Sequence, residues 1–162
     1  MDENLIKDSL TGFDAVWTRV TGMGQTPPAE TVYSEDETLK QLIYDEICAA
    51  QCAAALARMF QGDGRAVLLR HAADAKRRSR RLRAEYFIRT GLTCEPPDNC
   101  RGASGKLASL RAALLQANQR AERYAQAAER SDSPELRQVY RTFAADAIQH
   151  AQETRALLID SF

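Results

Sequence analysis

The sequence has no excess of charge of either sign and no long apolar run. It carries 22 basic and 22 acidic side chains among 162 residues, so its formal net charge is zero. A neutral chain has no overall field that would draw it onto DNA, RNA or an anionic membrane. No apolar run approaches the roughly 20 residues that span a bilayer. We therefore expect a protein that does not span or bind a membrane, and we do not expect a nucleic acid as its partner.

Signatures of export and of common enzymes are also missing. The first residues, MDENLIKDSL, lack the basic and apolar regions of a signal peptide. We therefore expect a cytoplasmic protein whose four cysteines are reduced thiols. The sequence has no Cys-x-x-Cys pair, glycine-rich phosphate loop or nucleophile motif. These absences favour a protein that is not an enzyme.

Glycine and proline are scarce, whereas helix-forming residues are abundant. The chain has only 8 glycines and 5 prolines but 27 alanines, and arginine outnumbers lysine 18 to 4. Alanine and arginine are among the best helix formers. No segment alternates apolar and polar residues as a half-buried strand would. The composition predicts an all-α protein.

Glycine and proline clusters divide the chain into one short and four long helices. The N-terminal residues 1–33 are predicted as an amphipathic helix (about 3–20) and a linker, and the long helices as about 34–60, 65–90, 106–130 and 134–162. Ser34 and Pro134 suit helix starts, and Gly91 suits a helix end. Short, long and short connections predict two antiparallel hairpins joined by a crossover loop, a four-helix bundle over 34–162.

A short repeat relates the two predicted hairpins. AADA at 72–75 recurs at 144–147, an offset of 72, and Arg78 matches His150 at the same offset. Because the matching positions fall at the same place in each hairpin, the repeat indicates a duplicated helix pair.

Three segments carry a resemblance to known proteins. They are YDE at 44–46, LLRHAADAKRRSRRLRAEYFIRTG at 68–91 and RAERYAQAAERSDSPELRQVYRTFAADAIQHAQETRALL at 120–158. Together they resemble the ferritin-like superfamily, particularly its rubrerythrin-like branch, over about 34–158. The resemblance implies a bundle in which two helices each give a glutamate and two each give a Glu-x-x-His. Those six side chains hold a di-iron or di-manganese centre.

Only two of the six implied ligands are present in this chain. Glu46 stands at the first glutamate position and His150 at the second histidine position. The four remaining positions hold Ala75, Arg78, Ala117 (or its neighbours Gln116 and Asn118) and Ala147. Because no acid replaces the missing carboxylates and a fixed cation replaces one histidine, we expect the di-metal centre to be lost and no cofactor to be bound.

Arg78 suggests what replaces the centre. It lies on the inward stripe of its predicted helix, and Glu46 faces it across the bundle. A buried carboxylate is costly unless it is paired. We predict an Arg78–Glu46 ion pair at the former site. The alternative is that Arg78 extends to solvent at the edge of the bundle.

The two histidines leave a metal site open as an alternative. His71 lies one turn before Ala75 on the same helix face, so Glu46, His71 and His150 could bind a single iron or manganese ion in a residual oxidoreductase. Asp74 and Asp146 are expected to point about 100° away from that face. The plainer interpretation is that both histidines are hydrogen-bonded core residues.

The strongest concentration of charge is the basic run KRRSRRLR at 76–83. Its arginines could bind anions or nucleic acid, and they are Arg77, Arg78, Arg80, Arg81 and Arg83. No aromatic residues are interleaved with them. We therefore expect a solvated helix face that pairs with neighbouring acids.

The cysteines and the N-terminal helix complete the expectations. Cys48 and Cys52 lie four residues apart on one helix and are predicted as small core residues. Cys94 and Cys100 flank EPPDN and could form a disulfide under oxidation, but free thiols are expected in the cytosol.

The extra amphipathic helix favours a homodimer. The sequence thus predicts a non-catalytic ferritin-like bundle with a structural or binding role.

Overall fold

The computed structural model describes residues 34–98 and 100–162, which form four α-helices and no strand. The helices are α1 (Glu35–Ala57), α2 (Gly62–Thr90), α3 (Lys106–Arg130) and α4 (Pro134–Ile159). The all-α prediction and its four long helices are confirmed. The predicted N-terminal helix and linker lie outside the described residues. Within those residues, no helix has the length and apolar character needed to cross a membrane.

Local capping fixes where the helices begin and end. The Ser34 hydroxyl accepts a hydrogen bond from the Glu37 amide at 3.3 Å, and three acidic residues occupy the first turn of α1. Gly91 ends α2 in the left-handed conformation, with a φ of 71°, and donates its amide to the Phe87 carbonyl at 2.8 Å. Pro134 opens α4 directly after its capping residue Ser133.

The helices form two antiparallel hairpins, α1–α2 and α3–α4. At one end of the bundle, Arg89 near the end of α2 pairs with Asp36 at the start of α1. Leu42 near the start of α1 packs in the same cluster as Tyr124 near the end of α3, so α1 and α3 are also antiparallel. The chain must therefore return along the bundle between α2 and α3, and residues 91–105 make this crossover.

Large apolar side chains fill the two ends of the bundle, whereas alanines occupy its middle. One end contains a cluster that includes Leu82 and Tyr140, and the other contains a cluster that includes Leu56 and Leu110. Between them lies a small group of buried alanines, namely Ala49, Ala50 and Ala75. Small side chains leave room for polar ones, and the buried Glu46, Arg78, Arg120, His71 and His150 all belong to this middle section.

A disulfide fastens the crossover to the middle of α1. It joins Cys48 to Cys100, whose Cα atoms lie 5.0 Å apart. The expectation of free thiols is therefore wrong for these two residues, and the pairing considered between Cys94 and Cys100 does not form. Cys52 and Cys94 are free. The physical reason is the path of the crossover, which leaves Cys94 in the apolar cluster near the start of α1 and carries Cys100 along that helix to Cys48.

Candidate functional site

Glu46 is the fully buried centre of a polar cluster in the middle of the bundle. Arg78 on α2 donates Nε to Oε1 at 3.0 Å and Nη2 to Oε2 at 3.1 Å. Tyr124 on α3 donates its hydroxyl to Oε1 at 2.7 Å. The ion pair predicted from the sequence is thus formed, in the bidentate geometry that gives the strongest hydrogen bonds. Arg78 is 1% exposed and does not extend to solvent.

The two side chains that donate to Glu46, Arg78 and Tyr124, both have raised pKa values. Burial alone would lower the pKa of Arg78, but the charge and hydrogen bonds of Glu46 outweigh burial and raise it. Burial and the adjacent Glu46 charge both raise the pKa of Tyr124 well above its usual range, because each disfavours a phenolate. Arg78 and Tyr124 therefore both keep their protons near neutral pH. Neither side chain is suited to act as a general acid or base at that pH.

A second guanidinium lies beside the cluster without a close carboxylate. Arg120 on α3 is 8% exposed, and its Nε lies 4.0 Å from Glu46 Oε1, beyond hydrogen-bonding distance. The Nη1 atom of Arg78 likewise lies 3.7 Å from Asp146 Oδ2. Both nitrogens are buried and have no hydrogen-bond acceptor. Two buried guanidinium groups therefore face one buried carboxylate.

Sequence reasoning missed Arg120 and Tyr124, although a signal for them was present. Residues 117, 120 and 124 recur at steps of three and four, which places them on one face of α3. Ala117 on that face is buried, so the face points into the core. A positively charged and an aromatic residue on the same buried face would have indicated that α3 contributes to the cluster.

The four positions assigned to lost metal ligands all lie in the core. Ala75, Ala117 and Ala147 are 1%, 2% and 0% exposed, and Arg78 is as deeply buried. The site is thus surrounded by methyl groups at three of the four positions, which supply neither charge nor donor atoms.

The two histidines stack on each other next to the cluster. Their ring centroids lie 3.9 Å apart with an interplanar angle of 17°. His71 Nε2 lies 2.6 Å from Glu153 Oε2, and His150 Nε2 lies 3.2 Å from Asp74 Oδ2. Burial lowers the pKa of His71 although Glu153 opposes it, and burial together with the charges of His71 and Arg78 lowers the pKa of His150 to about 4. Both are therefore neutral, hydrogen-bonded core residues at pH 7.

The carboxylate that holds His71 is strongly acidic. Burial alone would raise the pKa of Glu153, but hydrogen bonds from His71, Gln149 and Arg70 lower it to about 2. Since an ionised carboxylate can only accept hydrogen bonds, His71 carries its proton on Nε2.

The aspartates of the repeat reach across from one hairpin to the other. Asp74 on α2 contacts His150 on α4, and Asp146 on α4 lies beside Arg78 on α2. The expected turn of about 100° away from the face of Ala75 and Ala147 agrees with these positions, and the contacts across the hairpins are the feature that the sequence did not predict. A turn of about 100° directs them to the boundary between α2 and α4 rather than to solvent, because those two helices lie side by side there.

The donor set does not fit the di-metal centre that the resemblance implies. Arg78 and Tyr124 occupy both oxygens of Glu46, and the Nε2 atoms of His71 and His150 contact other carboxylates. Among the described residues, no group of three or more His, Cys, Asp and Glu side chains is placed to hold a metal ion. Two adjacent iron or manganese ions need several carboxylates to balance their charge, whereas the core of this site offers one fully buried carboxylate, which is already paired, beside two permanent cations.

The basic run on α2 divides between the exposed face of the helix and the core. Arg77 pairs with Asp74 at 2.8 Å, and Arg81 pairs with Glu85 at 2.6 Å. Arg78 is buried, which separates it from the exposed Arg80 and Arg83. These pairings match the solvated face that the sequence predicts.

Comparison with known proteins shows the fold alone. The chain is similar to the solved structure of a hypothetical protein from Pyrococcus furiosus, with a TM-score of 0.69 and 20% sequence identity. The similarity covers 80% of this chain and 91% of that one. No family model matches the sequence, and no curated protein matches it. The architecture therefore occurs in another protein, and function has to be argued from the site.

Proposed function

We propose that this chain is a ferritin-like bundle in which an arginine–glutamate–tyrosine cluster has replaced a di-metal centre, and that it acts as a structural or binding module. The observation that carries the proposal is the bidentate Arg78–Glu46 pair, completed by Tyr124 and fully buried. A guanidinium supplies positive charge that neither dissociates nor changes oxidation state. The cluster therefore preserves the charge balance of a metal-bearing bundle without its redox chemistry.

Metal analysis of the purified protein tests the proposal directly. We expect less than one equivalent of iron or manganese after expression with both metals supplied, and the same content in wild type and in Glu46→Ala. One or two equivalents that disappear in Glu46→Ala would show that the chain is a metalloprotein and would overturn the proposal.

Restoring the lost ligands tests the assignment of the positions. A variant with Ala75→Glu, Arg78→His, Ala117→Glu and Ala147→Glu would supply, with Glu46 and His150, all six ligands of the implied centre. We expect it to bind close to two equivalents of Co²⁺, a spectroscopic substitute for iron.

The matched control places glutamates at exposed positions on the same two repeat helices, as Ala73→Glu with Ala145→Glu. It should bind no Co²⁺ above the level of wild type. Circular dichroism establishes that both variants fold, and Ala147→Glu with Arg78→His is the smaller substitution if the full set unfolds. Folded variants that bind no more Co²⁺ than the control would contradict the ferritin-like assignment.

A further inference from the structure

The middle of the bundle contains a small, partly enclosed cavity beside the cluster. It has about 30 Å³ of room for the centres of water-sized spheres. Its polar lining comes from all four helices and consists of Cys52, His71, Arg78, Gln116, Arg120, His150 and Thr154. Alanine and leucine side chains make up the rest of its wall. The alanines that occupy former ligand positions thus leave space as well as removing charge.

Two of the lining side chains carry buried donors with nothing to donate to. Arg78 Nη1 and Arg120 Nε are both inaccessible to solvent and lack an acceptor. Their side chains are at least nine-tenths buried. A buried donor without an acceptor costs about 1–3 kcal/mol, and more when it is charged. An acceptor in the cavity would satisfy both groups.

Charge distinguishes between a neutral and an anionic acceptor. The two guanidinium groups carry two positive charges, whereas Glu46 is the one fully buried counter-charge among the described residues. Asp146, whose side chain is 36% exposed, approaches Arg78 Nη1 only to 3.7 Å. No carboxylate lines the cavity in the part of the chain that the structure describes. A water molecule would satisfy a hydrogen bond only, whereas an anion would also add a buried negative charge next to two guanidinium groups that share one fully buried carboxylate.

Size limits which anion fits. A volume of about 30 Å³ is close to the share that one water molecule takes up in the liquid, so the cavity accepts an occupant of only a few atoms. Sulfate and phosphate, with five heavy atoms, are too large. We propose that this cavity binds a small monovalent anion, of the size of a halide or formate, between Arg78 Nη1 and Arg120 Nε. The proposal rests on the cavity and its orphaned donors, and it holds whether or not the bundle once carried metal.

Bromide is a suitable probe because its anomalous X-ray scattering identifies it. Crystals of the full chain grown with sodium bromide should show an anomalous peak in the cavity within hydrogen-bonding distance of both arginines. In solution, the thermal unfolding midpoint should rise with bromide concentration, since an anion that binds only the folded state stabilises it. Sodium sulfate at matched ionic strength should lack the saturable part of this rise.

Arg120→Met removes one donor and one charge, and Arg111→Met on the same helix is the matched exposed control. We expect bromide to bind Arg120→Met about 10- to 100-fold more weakly, because hydrogen bonds to charged groups contribute that much. Arg111→Met should behave as wild type. In the absence of bromide, Arg120→Met should be at least as stable as wild type, since it removes an unpaired buried charge.

A second variant keeps every charge and removes only the space. Ala113→Val adds two methyl groups at the cavity wall and should also weaken bromide binding. Density in the cavity that contains water only, or a bromide dependence that survives in both Arg120→Met and Ala113→Val, would overturn the proposal. Neither outcome bears on metal content, so this test and that of the proposed function fail independently.

Discussion

Equivalent positions in the two hairpins contact side chains of different chemical character. Asp74 and Asp146 are 72 residues apart in the sequence, and each lies beside a side chain of the opposite hairpin. The partner of Asp146 is Arg78, a permanent cation, whereas the partner of Asp74 is His150, which titrates. Equivalent geometry therefore yields a fixed charge on one side of the bundle and a pH-dependent one on the other.

The hairpins also differ in what they give to the central cluster. The α1–α2 hairpin supplies the ion pair of Glu46 and Arg78. The α3–α4 hairpin supplies the neutral Tyr124, the second cation Arg120 and the stacking partner His150. The lesson is that a pseudo-symmetric backbone need not carry a symmetric site, because one fixed cation changes what every neighbour has to provide.

Removal of Glu46, the one buried carboxylate among the described residues, should have the largest effect on stability. Glu46→Ala leaves Arg78 and Arg120 without their buried counter-charge, and breaking a buried pair costs about 3–5 kcal/mol. Chemical denaturation should show this loss in the free energy of unfolding. The double variant Glu46→Leu with Arg78→Met removes both charges and should recover most of it. A single variant as stable as wild type would mean that the pair contributes nothing to the fold.

Loss of the crossover disulfide should have the next largest effect, and this cross-link ties the crossover to α1 of the first hairpin. Cys48 and Cys100 are separated by 52 residues, and loss of such a cross-link typically costs about 2–4 kcal/mol. Cys100→Ser should lower the free energy of unfolding by this amount, and dithiothreitol should have the same effect on wild type. Cys52→Ala, which removes a free thiol, is the control. If the reductant leaves the stability of wild type unchanged, the cross-link does not stabilise the bundle.

Two buried tyrosines of the second hairpin provide a matched pair of smaller changes. Both are fully buried, but the Tyr124 hydroxyl donates to Glu46, whereas the Tyr140 hydroxyl has no partner. Tyr124→Phe should cost about 1.5–3 kcal/mol, the range for a hydrogen bond to a charged group. Tyr140→Phe should be neutral or stabilising, because it removes an unsatisfied polar atom. Equal losses in the two variants would contradict a special role for Glu46.

The smallest expected effect, expressed as a change in stability per pH unit, comes from the titration of His150. The pKa of His150 is about 4 in the folded protein against 6.5 for an ordinary histidine, so between these values the unfolded state binds more protons. Stability should therefore fall as pH decreases from 6.5 to 4, by at most about 1.4 kcal/mol per pH unit for this group.

Denaturation curves recorded across that range would measure the slope. His150→Gln should reduce it, whereas Arg137→Gln, outside the histidine stack, should not. The low pKa of Glu153, about 2, acts in the same direction at lower pH, because its stabilisation is lost as the carboxylate becomes protonated. A slope that is the same in His150→Gln and wild type would assign the acid sensitivity to other groups.

Helix positions and the central contact could be predicted from the sequence because they follow from local rules. Ser34, Gly91 and Pro134 mark helix ends through backbone capping, which depends on only a few neighbouring residues. The 3.6-residue period placed Arg78 on the inward face of its helix, and the ferritin-like resemblance implied that Glu46 lies opposite it. These inferences needed only one helix at a time, or a single pair of facing positions.

The remaining features depend on how elements meet in space. The pairing of Cys48 with Cys100 follows from the path of the crossover along α1, which spacing in the sequence does not encode. The reach of Asp74 and Asp146 depends on the contact between α2 and α4. Arg120 joins the cluster through the packing of α3 beside α1. Each of these required two or three helices to be placed together first.

The contacts between Asp74 and His150 and between Asp146 and Arg78 affect how the bundle unfolds. Because each hairpin holds the counterpart of a polar group on the other, separating them would at once take Asp74 from His150 and Tyr124 from Glu46, and would move Asp146 away from Arg78. Opening should then be all-or-none, with amide protons on α2 and α4 exchanging together rather than one helix pair peeling away from the other.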